Sequence, residues 1–236
     1  MKGLASAFSF LTVIGRGTPP TASAGRWFPV VGLLVGSGLG VVWWMAERIW
    51  AAPLAATLVV GFDLAVTGML HLDGLVDSAD GLLPHLERSR RLALMSAPDV
   101  GAFGLGVGFA VLAVRWAALA NLSPNPLLLA ALWGASRSVM TATMTTVPYA
   151  RGAGLASGFG STHELPFATA GLLAAAALAF IGSAGPGLAA VLVGVGAGAA
   201  LVGLARRRLG GFTGDVLGAA GVLVETTGLL VAAARW

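Results

Sequence analysis

The stretch HLDGLVDSADG at residues 71–81 places three carboxylates directly after a long apolar run. On a helix, Asp73, Asp77 and Asp80 have the spacing i, i+4 and i+7 and share one face. Three like charges on one face repel each other unless a cation lies among them, and all-oxygen ligands favour magnesium, manganese or calcium. The spacing therefore predicts a helix with a divalent-metal site, most simply magnesium. The alternative is a solvated helix face beside a membrane.

Two glycines follow acidic residues inside this stretch. Gly74 comes after Asp73 and Gly81 after Asp80, although a glycine within a helix costs roughly 1 kcal/mol in helix propensity. We therefore expect another backbone, or a substrate, to approach the helix closely at these positions.

The composition excludes an ordinary soluble domain. Of 236 residues, 57% are hydrophobic and only 10% are charged, whereas soluble domains carry about 25% charged residues. We expect an all-α, polytopic membrane helix bundle. The chain has no cysteine, which excludes disulfides, zinc thiolates and cysteine nucleophiles.

Apolar runs of about 20 residues can cross a bilayer as helices. We expect one domain over residues 1–236, with a short surface or re-entrant segment at Met1–Ile14 and no removed signal peptide. Seven crossings follow, at about residues 27–46, 50–70, 101–120, 126–148, 166–185, 187–205 and 216–234.

The basic residues predict the orientation, since short cytoplasmic loops hold most of the Lys and Arg. With the N-terminus inside, the cytoplasmic segments carry ten: Lys2, Arg16, Arg26, Arg88, Arg90, Arg91, Arg151, Arg206, Arg207 and Arg208. The outer segments carry two, Arg48 and Arg235. The net charge of +4 thus indicates topology, not nucleic-acid binding.

Charged residues within the spans are functional candidates by default. They are Asp63, Arg115, Arg137 and Glu225. For Asp63, burial beside one of the arginines is the equally weighted alternative. The serines on either side of Arg137 predict a polar cavity around it.

Two further segments carry chemistry. RRRLGGFTGD at residues 206–215 combines arginines, which bind phosphate oxygens, with glycines and Asp215 at a helix start. A membrane anchor and a simple helix cap are the alternatives.

On a continuous helix His71 points away from the acidic face, so it is a candidate base only if the helix is broken there.

The chain resembles the cobalamin synthases, also called adenosylcobinamide-GDP ribazoletransferases. The motifs run in the family's order over nearly the whole sequence. They are WFPVVG at 27–32, the acidic stretch at 71–81, GAFG at 101–104, Arg137, YAR at 149–151, LGGFTGDVLGA at 209–219 and Glu225.

This resemblance implies a magnesium-dependent membrane enzyme that joins adenosylcobinamide-GDP to α-ribazole or its 5'-phosphate and releases GMP. It implies metal ligands at Asp73, Asp77, Asp80 and Asp215, and catalytic roles for His71, Asp73 and Asp77. It implies substrate binding by Arg137, Tyr149, Arg151, Arg206, Arg207 and Thr213. The expected location is the inner membrane, with the lipid bilayer as a partner and the site facing the cytoplasm. The sequence leaves the oligomeric state open, a homo-oligomer included.

The chain departs from the family pattern at several positions, namely Val13, Ser96 to Asp99, Gly152, Ala153 and Val222. We expect these departures to affect peripheral contacts more than the metal site.

Two other functions remain as alternatives. A CDP-alcohol phosphotransferase also carries an Asp-Gly metal motif on membrane helices, but needs Ala-Arg where this chain has Asp77 and Ser78. A cation-coupled transporter would use Asp63, Arg137 and Glu225, yet its site belongs at mid-bilayer between related halves, whereas the acids of residues 71–81 cluster at one face.

Overall fold

The computed structural model describes residues 2–15, 17, 21–151 and 162–236. Within these ranges the chain is helical, apart from turns, loops and one isolated backbone bridge. Arg16, Gly152 and Ala153, which entered the sequence predictions, lie outside the described residues.

Nine α-helices follow one another in the described parts of the chain. They are α1 Lys2–Leu11, α2 Phe28–Ala46, α3 Ala52–Val66, α4 Leu70–Leu82, α5 Arg88–Leu94, α6 Ala102–Ala120, α7 Pro126–Thr146, α8 Leu165–Leu209 and α9 Gly214–Ala232. Short 3-10 turns precede α2 and α8, at Gly25–Trp27 and Thr162–Glu164.

Five helices, α2, α6, α7, α8 and α9, are long and apolar enough to cross a membrane, and α3 with α4 adds a sixth crossing if that bent pair is one span. This confirms a polytopic all-α membrane protein. The N-terminal segment forms α1, as predicted for a short helix. The seven crossings and the cytoplasmic N-terminus stay predictions.

Helix α8 folds back on itself. Its 45 residues include Ala184, whose φ of 49° and ψ of −129° are not helical. A Cβ added to Gly187 would meet the backbone of Ala179 and the Ser183 side chain. Eight residues rise about 12 Å along a straight helix, so this proximity requires two arms that run side by side, joined near the Gly-Pro-Gly sequence of residues 185–187.

Helix α7 forms the centre of the bundle, and α2 packs against it through glycines. Gly32, Gly36 and Gly40 lie one turn apart, and a Cβ at each would collide with the α7 backbone near Trp133, Leu129 and Pro126, respectively. Close packing of membrane helices depends on such small residues. This four-residue glycine repeat is therefore a packing face between α2 and α7.

One end of the bundle gathers three segments that together carry seven of the fourteen basic residues. Arg88 donates to the Leu209 carbonyl at 2.6 Å and to the Ala150 carbonyl at 2.8 Å. These bonds join α5 to the segment after α7 and to the end of α8. The loops that the sequence places on the cytoplasmic side therefore meet at one place.

Candidate active site

A sharp break separates α3 from α4. Gly68 and Met69 have φ values of 58° and 60°, and the axes of the two helices are bent by 87°. The crossing predicted at about residues 50–70 is therefore helical as α3 only as far as Val66. Helix α4 starts at Leu70 and carries the whole acidic stretch, whose helical conformation is confirmed.

Helix α4 lies directly against the start of α9. A Cβ at Gly74 would be 2.7 Å from the Asp215 carbonyl oxygen, and a Cβ at Gly218 would be 3.1 Å from the His71 Cα atom. Side chains at either position would force the backbones apart. The expected close approach at Gly74 is confirmed, and it brings the acidic stretch to the distant Asp215.

Three carboxylates belong to this contact. Asp73 is exposed and Asp77 is half-buried on α4, and Asp215 is in the first turn of α9. Burial, followed by the negative charges of Asp73 and Asp215, raises the pKa of Asp77 to about 6. The three acids therefore lie close enough to repel one another, as the sequence predicts for two of them.

Asp80 has a different role. Its Oδ2 accepts from the Gly101 amide at 2.7 Å and its Oδ1 accepts from the Gly104 amide at 2.9 Å. The buried carboxylate thus caps the N-terminus of α6, where a negative charge is favoured. Each of its oxygens already accepts one backbone amide, and its role as a metal ligand stays a prediction.

Asp215 is held by a cation and a hydroxyl. Arg151 Nη2 donates to Asp215 Oδ2 at 2.9 Å and to the Met95 carbonyl at 3.1 Å. The Thr213 hydroxyl lies 3.1 Å from the same carboxylate oxygen and accepts from the Val216 amide at 3.3 Å. Thr213 is therefore a fully buried helix cap, and its contact with substrate stays a prediction.

Backbone pairing fixes the segment that carries Arg151. The Ala150 amide donates to the Phe212 carbonyl at 2.8 Å, and the Phe212 amide donates to the Pro148 carbonyl at 3.0 Å. The rings of Tyr149 and Phe212 meet edge to face, with centroids 5.3 Å apart. The two segments predicted to bind substrate are therefore joined beside the acids.

A cavity of about 190 Å³ opens at this junction. Its polar lining consists of His71, Asp73, Tyr149, Arg151 and Asp215. Burial raises the pKa of Tyr149, so its hydroxyl stays protonated at neutral pH and can donate a hydrogen bond. Five of the predicted site residues thus meet in one pocket, although they come from three separate parts of the chain.

His71 lies at the back of this pocket. Its side chain is 5% exposed, and neither ring nitrogen has a hydrogen-bond partner among the described residues. A buried polar atom without a partner is costly and is a mark of a functional site. The break at residues 68–69 precedes α4, and His71 and Asp73 lie on the same continuous helix. His71 lines the pocket, and its role as a base stays a prediction.

Behind His71, four charged side chains from four helices form a neutral cluster. Arg115 donates to Asp63 at 2.5 Å and to Glu225 at 2.8 Å, and Arg137 also pairs with Glu225. Trp133 Nε1 donates to Asp63 at 2.9 Å. The interpretation of Asp63 as the buried partner of an arginine is confirmed.

Arg137 belongs to this buried cluster. Arg137 is 2% exposed and does not line the pocket that contains Asp73 and Arg151. It lines a much smaller cavity, of about 10 Å³, shared with His71, Asp63 and Glu225. A polar cavity around Arg137 is thus present, but it is separate from the pocket.

Two other predicted substrate contacts lie elsewhere. Arg206 and Arg207 are exposed in the last turn of α8 and do not line the pocket. The neighbouring Arg208 instead donates to the Leu82 carbonyl at the end of α4, and Arg91 donates to the same carbonyl at 2.9 Å.

The contacts of Arg91 and Arg208 with α4 were not predicted from the sequence. Arg91 and Arg208 satisfy the last carbonyls of α4, which a helix end leaves without partners, so they orient the acidic helix. The apolar lining from α1 and α2 was also missed. A charge count cannot separate such contacts from membrane anchors, and the partners lie far away in the sequence.

The residues present suit a hard divalent cation in part. Asp73, Asp77 and Asp215 offer carboxylate oxygens, the ligand type that magnesium prefers, and their mutual repulsion gives a cation a favourable place. Among the residues that the structure describes, however, no three acidic or histidine side chains stand close enough together to hold a metal ion. The metal site stays a prediction.

Comparison with known proteins agrees with the sequence motifs. The model of the cobalamin-5-phosphate synthase family matches residues 3–233. No solved structure matches this chain.

Curated relatives are similar over most of their length. An adenosylcobinamide-GDP ribazoletransferase of Bradyrhizobium diazoefficiens is 36% identical over 97% of this chain and 92% of the relative. Proteins of the same name from Chlorobium phaeovibrioides and Mesorhizobium japonicum are 35% and 40% identical, over 95% and 86% of this chain and 94% and 80% of the relatives. The resemblance seen in the sequence is confirmed, and the chain belongs to the cobalamin-5-phosphate synthase family of transferases.

Proposed function

We propose that this chain is an adenosylcobinamide-GDP ribazoletransferase. It joins adenosylcobinamide-GDP to α-ribazole or α-ribazole 5'-phosphate and releases GMP. The observation that carries the proposal is the pocket in which His71, Asp73, Tyr149, Arg151 and Asp215 meet, in a chain whose curated relatives bear this name.

The reaction transfers the phosphoryl group that carries the cobinamide from GMP to a ribose hydroxyl. The hydroxyl oxygen bonds to the phosphorus that stays with the cobinamide, and the bond from that phosphorus to the bridging oxygen breaks. GMP leaves with the bridging oxygen, and the proton of the hydroxyl passes to a base. Catalysis of such transfers is mostly positioning and charge stabilisation.

The side chains of the pocket divide these tasks. His71, with both ring nitrogens free of partners among the described residues, accepts the hydroxyl proton. Arg151 and Tyr149 donate to the phosphate oxygens, and Thr213 and Asp215 keep Arg151 in place through the contacts described above.

Asp73, Asp77 and Asp215 would hold magnesium, which neutralises the diphosphate charge when bound. Arg206 and Arg207 do not line the pocket. Their exposed position suits attraction of the anionic substrate to this end of the bundle.

We further propose that the chain lies in the inner membrane with the pocket open to the cytoplasm. The support is the bias of basic residues toward the pocket end of the bundle, where Arg88, Arg91 and Arg208 bind loop carbonyls. Cytoplasmic segments are enriched in these residues.

The purified protein in liposomes tests the proposal. GMP release from adenosylcobinamide-GDP plus α-ribazole should require both substrates and magnesium, and should stop with a chelator. Release of GMP without ribazole, or the same rate with the chelator present, would overturn the transfer reaction or its magnesium dependence, respectively.

A further inference from the structure

The pocket also has an apolar lining that the phosphoryl transfer does not use. This lining, called the apolar wall here, consists of Phe10, Leu11, Phe28, Leu70, Met140 and Leu217. These side chains come from α1, α2, α4, α7 and α9. The pocket therefore offers apolar surface as well as charged groups.

The apolar wall has a rigid aromatic part. The rings of Phe10 and Phe28 stack with centroids 5.7 Å apart and an angle of 13° between their planes. Phe28 is fully buried, whereas Phe10 is half-buried. Phe28 thus supports Phe10 through ring stacking, and Phe10 is the more accessible of the two rings that line the pocket. Leu70 offers a second accessible surface, since 42% of it is exposed.

Only one part of the two substrates matches this wall. The corrin ring is too large for a cavity of about 190 Å³. Guanine carries several hydrogen-bonding groups, and burying them against hydrocarbon without partners costs about 1–3 kcal/mol each. The base of α-ribazole is a flat benzimidazole with two methyl groups, which loses little by leaving water and gains by packing against aromatic rings.

We propose that Phe10, supported by Phe28, and Leu70 form the subsite for the base of the ribazole substrate, and that Phe10 determines the preference for an apolar base. This inference rests on the proposed function. The geometry gives its reason: a base on the apolar wall places its ribose beside His71 and Asp73, where the hydroxyl must lose its proton. Helix α1 then acts as part of the substrate site as well as a membrane-surface element.

Phe10→Ala tests the subsite, with Phe8→Ala as the matched control. Phe8 is on the same helix and equally half-buried, but it lines a separate apolar groove between α1, α2 and α3. Phe10→Ala should raise the KM for α-ribazole about tenfold, the loss expected for one well-packed aromatic contact. The KM for adenosylcobinamide-GDP should change less than twofold, and Phe8→Ala should change neither.

A second variant and a second substrate separate base recognition from folding. Phe10→Leu keeps an apolar side chain, so it should unfold at the same temperature as the unaltered protein yet keep a raised KM for α-ribazole. Phe10→Ala should also reduce the preference for α-ribazole over a riboside of adenine. An unchanged preference, or a KM rise for adenosylcobinamide-GDP alone, would overturn the subsite.

Calorimetric titration of α-ribazole into the protein without the second substrate keeps this test independent of turnover. Binding that weakens about tenfold in Phe10→Ala supports the subsite even if no GMP is released, in which case the proposed function fails alone. Turnover with equal affinity in both proteins overturns the subsite alone. If the unaltered protein shows no binding and no turnover, both the subsite and the proposed function are overturned.

Discussion

Gly74 of α4 lies against the backbone of Asp215 in α9, with only 2.7 Å between the position of an added Cβ and the Asp215 carbonyl oxygen. The two residues are far apart in the sequence, and this contact is what brings the acids of the two helices together. The candidate active site therefore depends on glycine at position 74, because a side chain there would separate the two helices.

Gly74→Ala should lower both stability and activity. Alanine favours a helix over glycine by about 1 kcal/mol, but overpacking at this backbone contact should cost about 1–3 kcal/mol and separate Asp73 from Asp215. Gly106→Ala is the control, because a Cβ there meets nothing within 4 Å. Unfolding in mixed micelles and GMP release measure the two effects. A Gly74→Ala protein more stable than the unaltered one would contradict the packing argument.

Asp73→Asn and Asp77→Asn should abolish magnesium-dependent GMP release while leaving membrane insertion intact. Loss of a charged oxygen ligand removes several kcal/mol of charge stabilisation, which corresponds to a rate loss of about 100-fold or more. Asp99→Asn, at an exposed position, is the control. Full turnover by either of the first two variants would remove those residues from the metal site.

Asp80→Asn should behave differently from its neighbours. An amide retains one acceptor oxygen and loses the second bond to the α6 amides, so stability should fall by about 1 kcal/mol. The magnesium concentration at half-maximal rate should stay unchanged in the folded protein. A shift in that concentration, with stability unaltered, would show that Asp80 is a metal ligand.

Glu225→Gln should destabilise the bundle strongly. It leaves Arg115 and Arg137 with one carboxylate, Asp63, between them in the cluster described above, and breaking a buried ion pair costs about 3–5 kcal/mol. Unfolding by denaturing detergent measures the loss, with the exposed Glu87→Gln as control. If Glu225 were instead a coupling residue of a transporter, the variant would be nearly as stable as the unaltered protein.

Single cysteines should report the orientation without background, because the chain has none of its own. Ser89→Cys lies at an exposed position of α5 and Ala51→Cys at an exposed position before α3. In intact cells, a membrane-impermeant maleimide should label the cysteine at 51 and spare the one at 89 until the cells are opened. The reverse pattern would show that the pocket faces outward.

Much of the site could be predicted because its chemistry is written in one stretch. The spacing of Asp73 and Asp77 predicts their shared helix face, and the composition predicts the membrane bundle. The small residues at Gly32, Gly36 and Gly40 predict a packing face, since membrane helices approach closely only there. Local periodicity and composition are sufficient for these features.

Other features depend on distant partners. The predicted crossing at about residues 50–70 gives no position for the break, which lies where Gly68 and Met69 adopt positive φ values. Asp80 has the same spacing as its neighbours, but the start of α6 takes up both of its oxygens. Val222, a departure from the family pattern, packs in a small apolar cluster with Leu75 and Ala219.

By itself, the sequence determined the membrane class, the acidic helix and the family, because these follow from hydropathy, spacing and ordered motifs along the chain. Only the tertiary structure decided which acids face one pocket, which arginines are buried in pairs or bound to carbonyls, and that α1 supplies an aromatic wall. The physical reason is that the sequence gives the charge of each side chain but not its partner. The energy of a charge depends on the groups that folding places within a few ångströms of it.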